Sequence, residues 1–142
     1  MNRNEVVRLL VLNEIMDDYE NVDQMILKGV TELGAKLGWS IDRTEVVNAL
    51  AELIQQGLAK AYDLSSPPPH IPLQGMPAMD VVENMTDEVF HTYFYVTPAG
   101  MEYHLAEDMP WPFDDDENVI ESVLREELPK PPAKLNYPDS KQ

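Results

Sequence analysis

The segment from Asp42 to Leu58 constrains the fold more than any other part of the chain. Asp42 can cap a helix, and Glu45 three residues later completes the spacing of a capping box. Apolar residues then recur at the spacing of one helix face, and Gly57 followed by an apolar residue is typical of a helix C-terminus. Start, apolar stripe and end agree, so the sequence predicts a helix between Asp42 and Gly57.

A β-strand is predicted directly after this helix, because the next residues lie too close to its end for another helix to form. The strand covers residues 59–63, and its expected partner covers residues 89–96, which are dense in aromatic and β-branched side chains. Residues 65–88 between them contain five prolines and predict a long, irregular loop. Side chains alternate between the faces of a strand, so Phe90, Thr92 and Phe94 share one face, and His91, Tyr93 and Tyr95 share the other.

Two helices are predicted before the Asp42 segment. Asn2 and Glu5 have capping-box spacing at the start of a strongly apolar run, so the first helix covers residues 3–17. Apolar residues recur at helical spacing again over residues 22–37, which predicts the second helix. Three helices therefore precede the predicted strand pair.

The chain after the second strand is predicted to return to helix. Thr97 followed by Pro98 is typical of a helix N-terminus, and the short helix that begins there reaches Ala106. Residues 109–113, with two prolines, a tryptophan and a phenylalanine, follow as a rigid apolar linker. Aromatic side chains held on a rigid backbone are common anchors of protein interfaces, although the linker can also pack against its own domain.

A last helix is predicted over residues 117–128. The acidic residues 114–117 suit a helix N-terminus, an apolar stripe follows them, and Pro129 ends the helix. Because the core looks complete without this stripe, we expect the helix to support a homodimer. Residues 129–142, which hold three prolines besides Pro129, are expected to form a disordered tail.

The order helix, helix, helix, strand, strand, helix resembles the winged-helix superfamily, a helix-turn-helix variant. Asp42–Leu58 resembles its third helix, and Tyr95–Gly100 is similar to the strand-to-helix junction after the wing of small bacterial PadR- and MarR-like regulators. The resemblance covers residues 3–106. It implies a third helix placed for the major groove of DNA, a wing near the DNA backbone and, often, a dimer through terminal helices.

The predicted fold is therefore α+β, mostly α: a three-helix bundle and a β-hairpin wing, with additional C-terminal helices. Residues 1–106 form the winged-helix domain, which includes the proline-rich wing loop 65–88. Residues 107–128 form a linker and the C-terminal helix, and residues 129–142 form the tail.

The charge of the chain opposes the DNA binding that this resemblance implies. The sequence of 142 residues has 10 Lys and Arg against 26 Asp and Glu, a formal charge of −16. No Lys or Arg lies between Ala61 and Leu124, a stretch with 13 acidic residues that includes the whole predicted wing loop. Affinity for DNA depends on Lys and Arg that neutralise phosphates, so nucleic acid is disfavoured as a partner.

We therefore expect a non-enzymatic module that acts through protein–protein contact, as an adaptor or regulatory subunit. The alternative is a transcriptional regulator that binds duplex DNA as a homodimer. The expected protein interface comprises Tyr62, Tyr93, Tyr95, Trp111, Phe113, Ile120 and Leu124, and the DNA alternative would depend on Arg43, Asn48, Lys60, Lys28 and Lys36.

The sequence predicts no catalytic residue, no cofactor and no metal site. His70, His91 and His104 match no metal-ligand spacing, and the acidic run at 114–117 lacks the glycine of a calcium loop. There is no cysteine, no nucleophile elbow and no glycine-rich phosphate loop. Without a secretory signal or a long apolar segment, a cytoplasmic protein that does not enter the membrane is expected.

Overall fold

Three helices make up most of the folded body: the first and third begin where the sequence predicts, whereas the second begins five residues after its predicted start at residue 22. The structure is a computed structural model that describes residues 1–63, 71–72 and 92–131. Capping boxes begin the first and third helices, formed by Asn2 with Glu5 and by Asp42 with Glu45. The helices are α1 (Arg3–Glu14), α2 (Leu27–Lys36), which follows a π-helical turn at Val22–Ile26, and α3 (Arg43–Gln55).

The core lies where these helices meet the sheet. Both α1 and α3 are buried over most of their circumference, and α1 packs directly on α3. Leu10 of α1, Leu50 of α3 and Phe94 from the sheet are each 0% exposed. The first helix ends at Glu14, three residues before its predicted end, because the chain turns there to reach the sheet.

The sheet is antiparallel and small. Strand β1 (Ala59–Asp63) pairs with β3 (Thr92–Val96) along its whole length, and the two-residue β2 (Ile71–Pro72) pairs with its other edge. The predicted alternation is confirmed: Thr92, Phe94 and Val96 are buried, whereas Tyr93 and Tyr95 are half-buried. Three predicted segments lie outside the described residues: residues 89–91 of the second strand, the predicted wing loop apart from β2, and the tail beyond residue 131.

The junction between α3, the sheet and the next helix is tightly packed. Gly57 ends α3 with a φ of +77°, a conformation that favours glycine. The Thr97 hydroxyl donates to the Gly57 carbonyl at 2.6 Å and accepts the N–H of Gly100 at 3.0 Å. Thr97 thereby caps α4 (Pro98–His104), as predicted, and links it to the end of α3.

The prediction of a C-terminal helix over residues 117–128 is wrong. The Asp114 carboxylate accepts the backbone N–H groups of Asp116 and Asn118, both at 2.9 Å, and Glu117 has a φ of +62°. The acidic run therefore forms a tight turn rather than a helix N-terminus. Phe113 and Val119 pair across this turn as an antiparallel bridge, and a 3₁₀ turn at Val123–Arg125 follows.

The apolar residues of this C-terminal segment pack on the chain's own core. Phe113 is 5% exposed, and Val119, Leu124 and Leu128 contact the same core from its edge. The N-terminal ammonium of Met1 donates to the Leu124 carbonyl at 2.9 Å. The homodimer predicted through this segment thereby loses the exposed stripe on which it was based, and it stays a prediction.

No helix within the described ranges has the length and the apolar character that are needed to cross a lipid bilayer.

Candidate functional site

The outward side of α3 carries paired charges. Arg3 of α1 donates to both carboxylate oxygens of Glu45, at 2.8 and 3.1 Å, and to the Ser40 carbonyl at 2.9 Å. Its guanidinium also lies 5.1 Å from the centre of the Trp39 ring. The hydrogen bonds to Arg3 lower the pKa of Glu45, and the same contact raises the pKa of Arg3. Arg3 is therefore committed to α3 rather than presented to a phosphate.

A second arginine repeats the arrangement further along α1. Arg8 pairs with Glu52 across the groove between α1 and α3, and the Arg8 side chain is only 19% exposed. The groove forms a cleft of about 340 Å³ whose polar lining residues are Asn4, Arg8, Glu45, Asn48, Glu52 and Gln55. Both of these arginines are thus neutralised by carboxylates of α3 itself.

The residues predicted for the DNA alternative do not form a positive strip. Arg43 pairs with Asp23 at 2.6 Å, and Lys36 pairs with Glu117 at 2.8 Å. Asn48 is exposed in the cleft, Lys28 is exposed on α2, and Lys60 is half-buried on β1. The structure therefore scatters these residues over α2, α3 and the sheet.

Four tyrosines form the outer face of the sheet, which we call the tyrosine face: Tyr19, Tyr62, Tyr93 and Tyr95. The Tyr19 ring is stacked on that of Tyr95, with centres 4.6 Å apart, and meets the edge of Tyr62 at 5.1 Å. Tyr62 and Tyr93 are register partners on β1 and β3. All four side chains are half-buried, so the rings remain partly accessible.

Tyr19 is the member of this face that sequence reasoning missed. It lies in a short polar stretch after α1, where no periodicity marks it as part of a sheet. Its neighbour Glu20 exchanges backbone hydrogen bonds with Phe94, at 2.8 and 3.0 Å, so this stretch pairs with the free edge of β3. A single bridge of this kind requires no apolar alternation, and the sequence therefore carries no signal for it.

Four carboxylates lie close together beside the tyrosine face. Among the described residues, Glu14, Asp17, Asp18 and Glu20 make no ion pair. Burial together with the negative charge of the other three raises the pKa of Glu20 to about 7. Burial and the charge of Glu32 also raise the pKa of Glu14. Within the described part of the chain, these carboxylates therefore differ from Glu45 and Glu52 on the α3 side, each of which has an arginine partner.

The remaining predicted interface residues are mostly turned inward. Phe113 is buried, Trp111 is half-buried between His104 and Phe113 at 5.5 and 5.6 Å, and Leu124 packs against the core. Ile120 is half-buried, and its N–H donates to the Pro112 carbonyl at 2.8 Å. The C-terminal segment thus separates from the tyrosine face, and the two do not form one surface.

His104 is the one histidine among the described residues, since His70 and His91 lie outside them. One ring nitrogen, Nε2, lies 3.0 Å from the Asn13 side-chain oxygen, whereas Nδ1 is buried without a hydrogen-bond partner. Burial lowers the pKa of His104. Within the described ranges, no three His, Asp or Glu side chains are close enough together to hold a metal ion.

Comparison with known proteins gives no relative: no family model matches the chain, and no curated protein or solved structure resembles it significantly.

Proposed function

We propose that this chain is a non-enzymatic winged-helix module that works through protein–protein contact, as an adaptor or a regulatory subunit. The winged-helix assignment is supported by the order of the elements. Three helices precede an antiparallel strand pair, and α3 passes into β1 through a connection of only three residues that contains Gly57. The capped helix α4 then follows β3 directly, as it follows the wing in the regulators that the sequence resembles.

The observation that carries the functional proposal is the pairing of cations on and around α3. In a DNA-binding winged helix, this helix must present donors to base edges and cations to phosphates. Here Arg3 and Arg8 are bonded to Glu45 and Glu52 of α3, and Arg43 is bonded to Asp23. A phosphate that approached α3 would have to break these pairs and would meet uncompensated carboxylates, so a polypeptide is the better-matched partner.

A titration with duplex DNA tests this proposal directly. We expect fluorescence anisotropy of a labelled random duplex to show no binding at micromolar protein in about 50 mM salt, where non-specific binding is strong for a DNA-binding protein. Saturable binding under these conditions would favour the alternative, a transcriptional regulator that binds DNA as a homodimer.

A pair of charge-matched variants shows whether the ion pairs are the cause. Glu45→Gln with Glu52→Gln releases Arg3 and Arg8 from their partners, and we expect weak, salt-sensitive DNA binding to appear. Asp115→Asn with Asp116→Asn changes the net charge by the same amount at exposed positions of the C-terminal turn. The second variant should remain without binding, because its charge change lies away from any arginine pair.

The positive test uses the immobilised full chain and extract of the source cell. We expect a defined protein to be retained in a fixed ratio, and to remain after nuclease treatment. Recovery of nucleic acid alone, or loss of every retained protein on nuclease treatment, contradicts a role based on protein contact.

A further inference from the structure

We propose that the tyrosine face docks an arginine-bearing, basic segment of a partner protein. The inference rests on the proposed function, since it names the surface and the class of partner through which a protein-contact module would act. Its two elements are a pre-assembled group of aromatic rings and an excess of carboxylates beside those rings.

The rings are held in place before any partner arrives. Tyr95 lies on β3 within the strand pair, and Tyr62 lies on β1. Tyr19 is fixed above both because the backbone of Glu20 pairs with that of Phe94. A partner that docks here orders few side chains, which keeps the entropic cost of binding low.

Half-exposed aromatic rings of this kind fit a guanidinium group. Planar guanidinium groups stack on aromatic faces and are attracted by the ring quadrupole, and arginine makes this contact more often than lysine. Tyr19 and Tyr95 are stacked, Tyr62 stands at right angles to Tyr19, and all three side chains are partly exposed. The geometry therefore suits a flat cation better than a bulky aliphatic side chain.

The acidic residues around the rings favour a partner with a positive charge. Asp17 and Asp18 are exposed on the residues directly before Tyr19, and Glu20 follows it. Lys60, opposite Tyr95 in the strand register, is outnumbered by these acids. A second copy of the chain would bring the same carboxylates to the contact, and like charges that face each other disfavour an interface. A basic segment is therefore the occupant that the face accepts.

The unusual pKa of Glu20 supports this choice. Partial burial and the field of Glu14, Asp18 and Asp17 together raise this pKa to about 7. A cation placed in that field would relieve the repulsion among the four carboxylates. Basic and aromatic contacts would then act together at one place.

The test uses a peptide of about eight residues that alternates arginine and glycine, with blocked ends, and a counterpart in which citrulline replaces arginine. Citrulline keeps the planar shape but carries no charge. We expect calorimetry on the full chain to give saturable one-to-one binding of the arginine peptide, weakened by about tenfold or more for the citrulline peptide. Absence of saturable binding by the arginine peptide overturns the inference.

Two charge-matched variants locate the site. Asp17→Asn with Asp18→Asn should weaken binding by about fivefold or more, whereas Asp115→Asn with Asp116→Asn should change it by less than about twofold. Both variants remove the same charge from exposed positions, and the amide oxygen introduced at position 18 can still accept the N–H bond that Asp18 accepts from Tyr19. Equal weakening by both variants shows diffuse attraction to an acidic protein and overturns the inference.

A ring variant separates stacking from charge. Tyr19→Leu with Tyr95→Leu keeps apolar side chains and net charge but removes the rings, so binding should fall by about fivefold or more. Tyr19→Phe with Tyr95→Phe keeps both rings, so its loss of binding should be smaller than that of the leucine variant. If the leucine variant binds with undiminished affinity, the rings are not the docking surface; if it does not fold, the asparagine variants decide the question.

The outcome is distinguishable from failure of the proposed function. When neither the arginine peptide nor duplex DNA binds, the tyrosine face is excluded while a protein-contact role elsewhere on the molecule survives. When duplex DNA binds saturably, the proposed function falls, whatever the peptide does.

Discussion

Two acid-rich parts of the surface differ in what lies beside their carboxylates. On the α3 side, Glu45 and Glu52 each have an arginine partner. Beside the tyrosine face, Glu14, Asp17, Asp18 and Glu20 have no ion pair among the described residues, and partial burial among these charges raises the pKa of Glu20. The same composition thus yields one side that is internally neutralised and one that is not. Net charge alone does not identify where a partner binds.

The α3 side and the tyrosine face are joined where α3 passes into the sheet. A substitution at this junction should therefore have the largest effect on stability. A methyl group on Gly100 would lie 2.1 Å from the Leu58 carbonyl oxygen, at the point where α3 passes into the sheet. We expect Gly100→Ala to lower the free energy of unfolding by about 3 kcal/mol, measured by urea denaturation.

Gly38→Ala is the control for this prediction. Gly38 has a φ of +79°, but a methyl group there meets nothing within 4 Å. The cost should therefore be that of the backbone conformation alone, about 1 kcal/mol. Equal losses in the two variants would show that the close approach at Leu58 is not a constraint.

The next effect tests the paired side. Arg8→Met keeps much of the length of the side chain but leaves Glu52 without its cation, at a position where the Arg8 side chain is only 19% exposed. We expect a loss of about 1.5 kcal/mol in unfolding free energy, because one partner of a half-buried pair is left uncompensated. Adding Glu52→Gln should restore part of that loss. A double variant that is less stable than Arg8→Met would contradict the idea that Glu52 needs its partner.

Beside the tyrosine face, where the carboxylates have no ion pair among the described residues, removing a charge should raise stability rather than lower it. The pKa of Glu20 is about 7 in the folded chain, above its ordinary value of 4.5. The folded state therefore binds the extra proton between these values, and stability falls as the pH rises from 4.5 through 7. We expect Glu20→Gln to stabilise the protein by about 1 kcal/mol near pH 8, after a reduction for solvent screening, and to have little effect near pH 5.

The measurement is urea denaturation of both proteins at several pH values, taken as a difference. The difference matters because burial lowers the pKa of His104, so the folded chain loses stability as the pH falls below 6.5. This slope is common to both proteins and cancels. A Glu20→Gln variant that is destabilised at every pH would mean that the carboxylates beside the tyrosine face are compensated after all.

The α3 side and the tyrosine face also differ in how much of each could be predicted from the sequence. Signals that act within a few residues were predicted at their observed places. They are the N-caps Asn2 and Asp42, the helix end at Gly57 and the helix start at Thr97–Pro98. The alternation of Tyr93 and Tyr95 with buried neighbours follows from strand geometry in the same way. Local signals therefore sufficed for α1, α3, the start of α4, the main strand pair and most of the tyrosine face, but not for the π-helical turn at Val22–Ile26 that precedes α2.

Features set by distant contacts were beyond the sequence. The apolar stripe after Asp114 fits a helix equally well, but the turn at Asp114 and the packing of Phe113 select a bridge to Val119 instead. Which acid meets which arginine depends on how α1 lies on α3, a separation of more than 40 residues along the chain. The pairing that underlies the proposed function became visible only in three dimensions.

The smallest expected change in stability tests whether the C-terminal segment is held by its ion pair or by the packing of its apolar side chains. Lys36 and Glu117 are 2.8 Å apart, but their side chains are 41% and 63% exposed. Exposed pairs of this kind contribute little, so Lys36→Met should change the unfolding free energy by less than about 0.5 kcal/mol. Phe113→Ala is the contrast, since that ring is 5% exposed and its removal should cost about 3 kcal/mol. If Lys36→Met instead approached the cost of Phe113→Ala, charge pairing would hold the segment, and paired carboxylates on this surface would matter more to stability than the α3 side suggests.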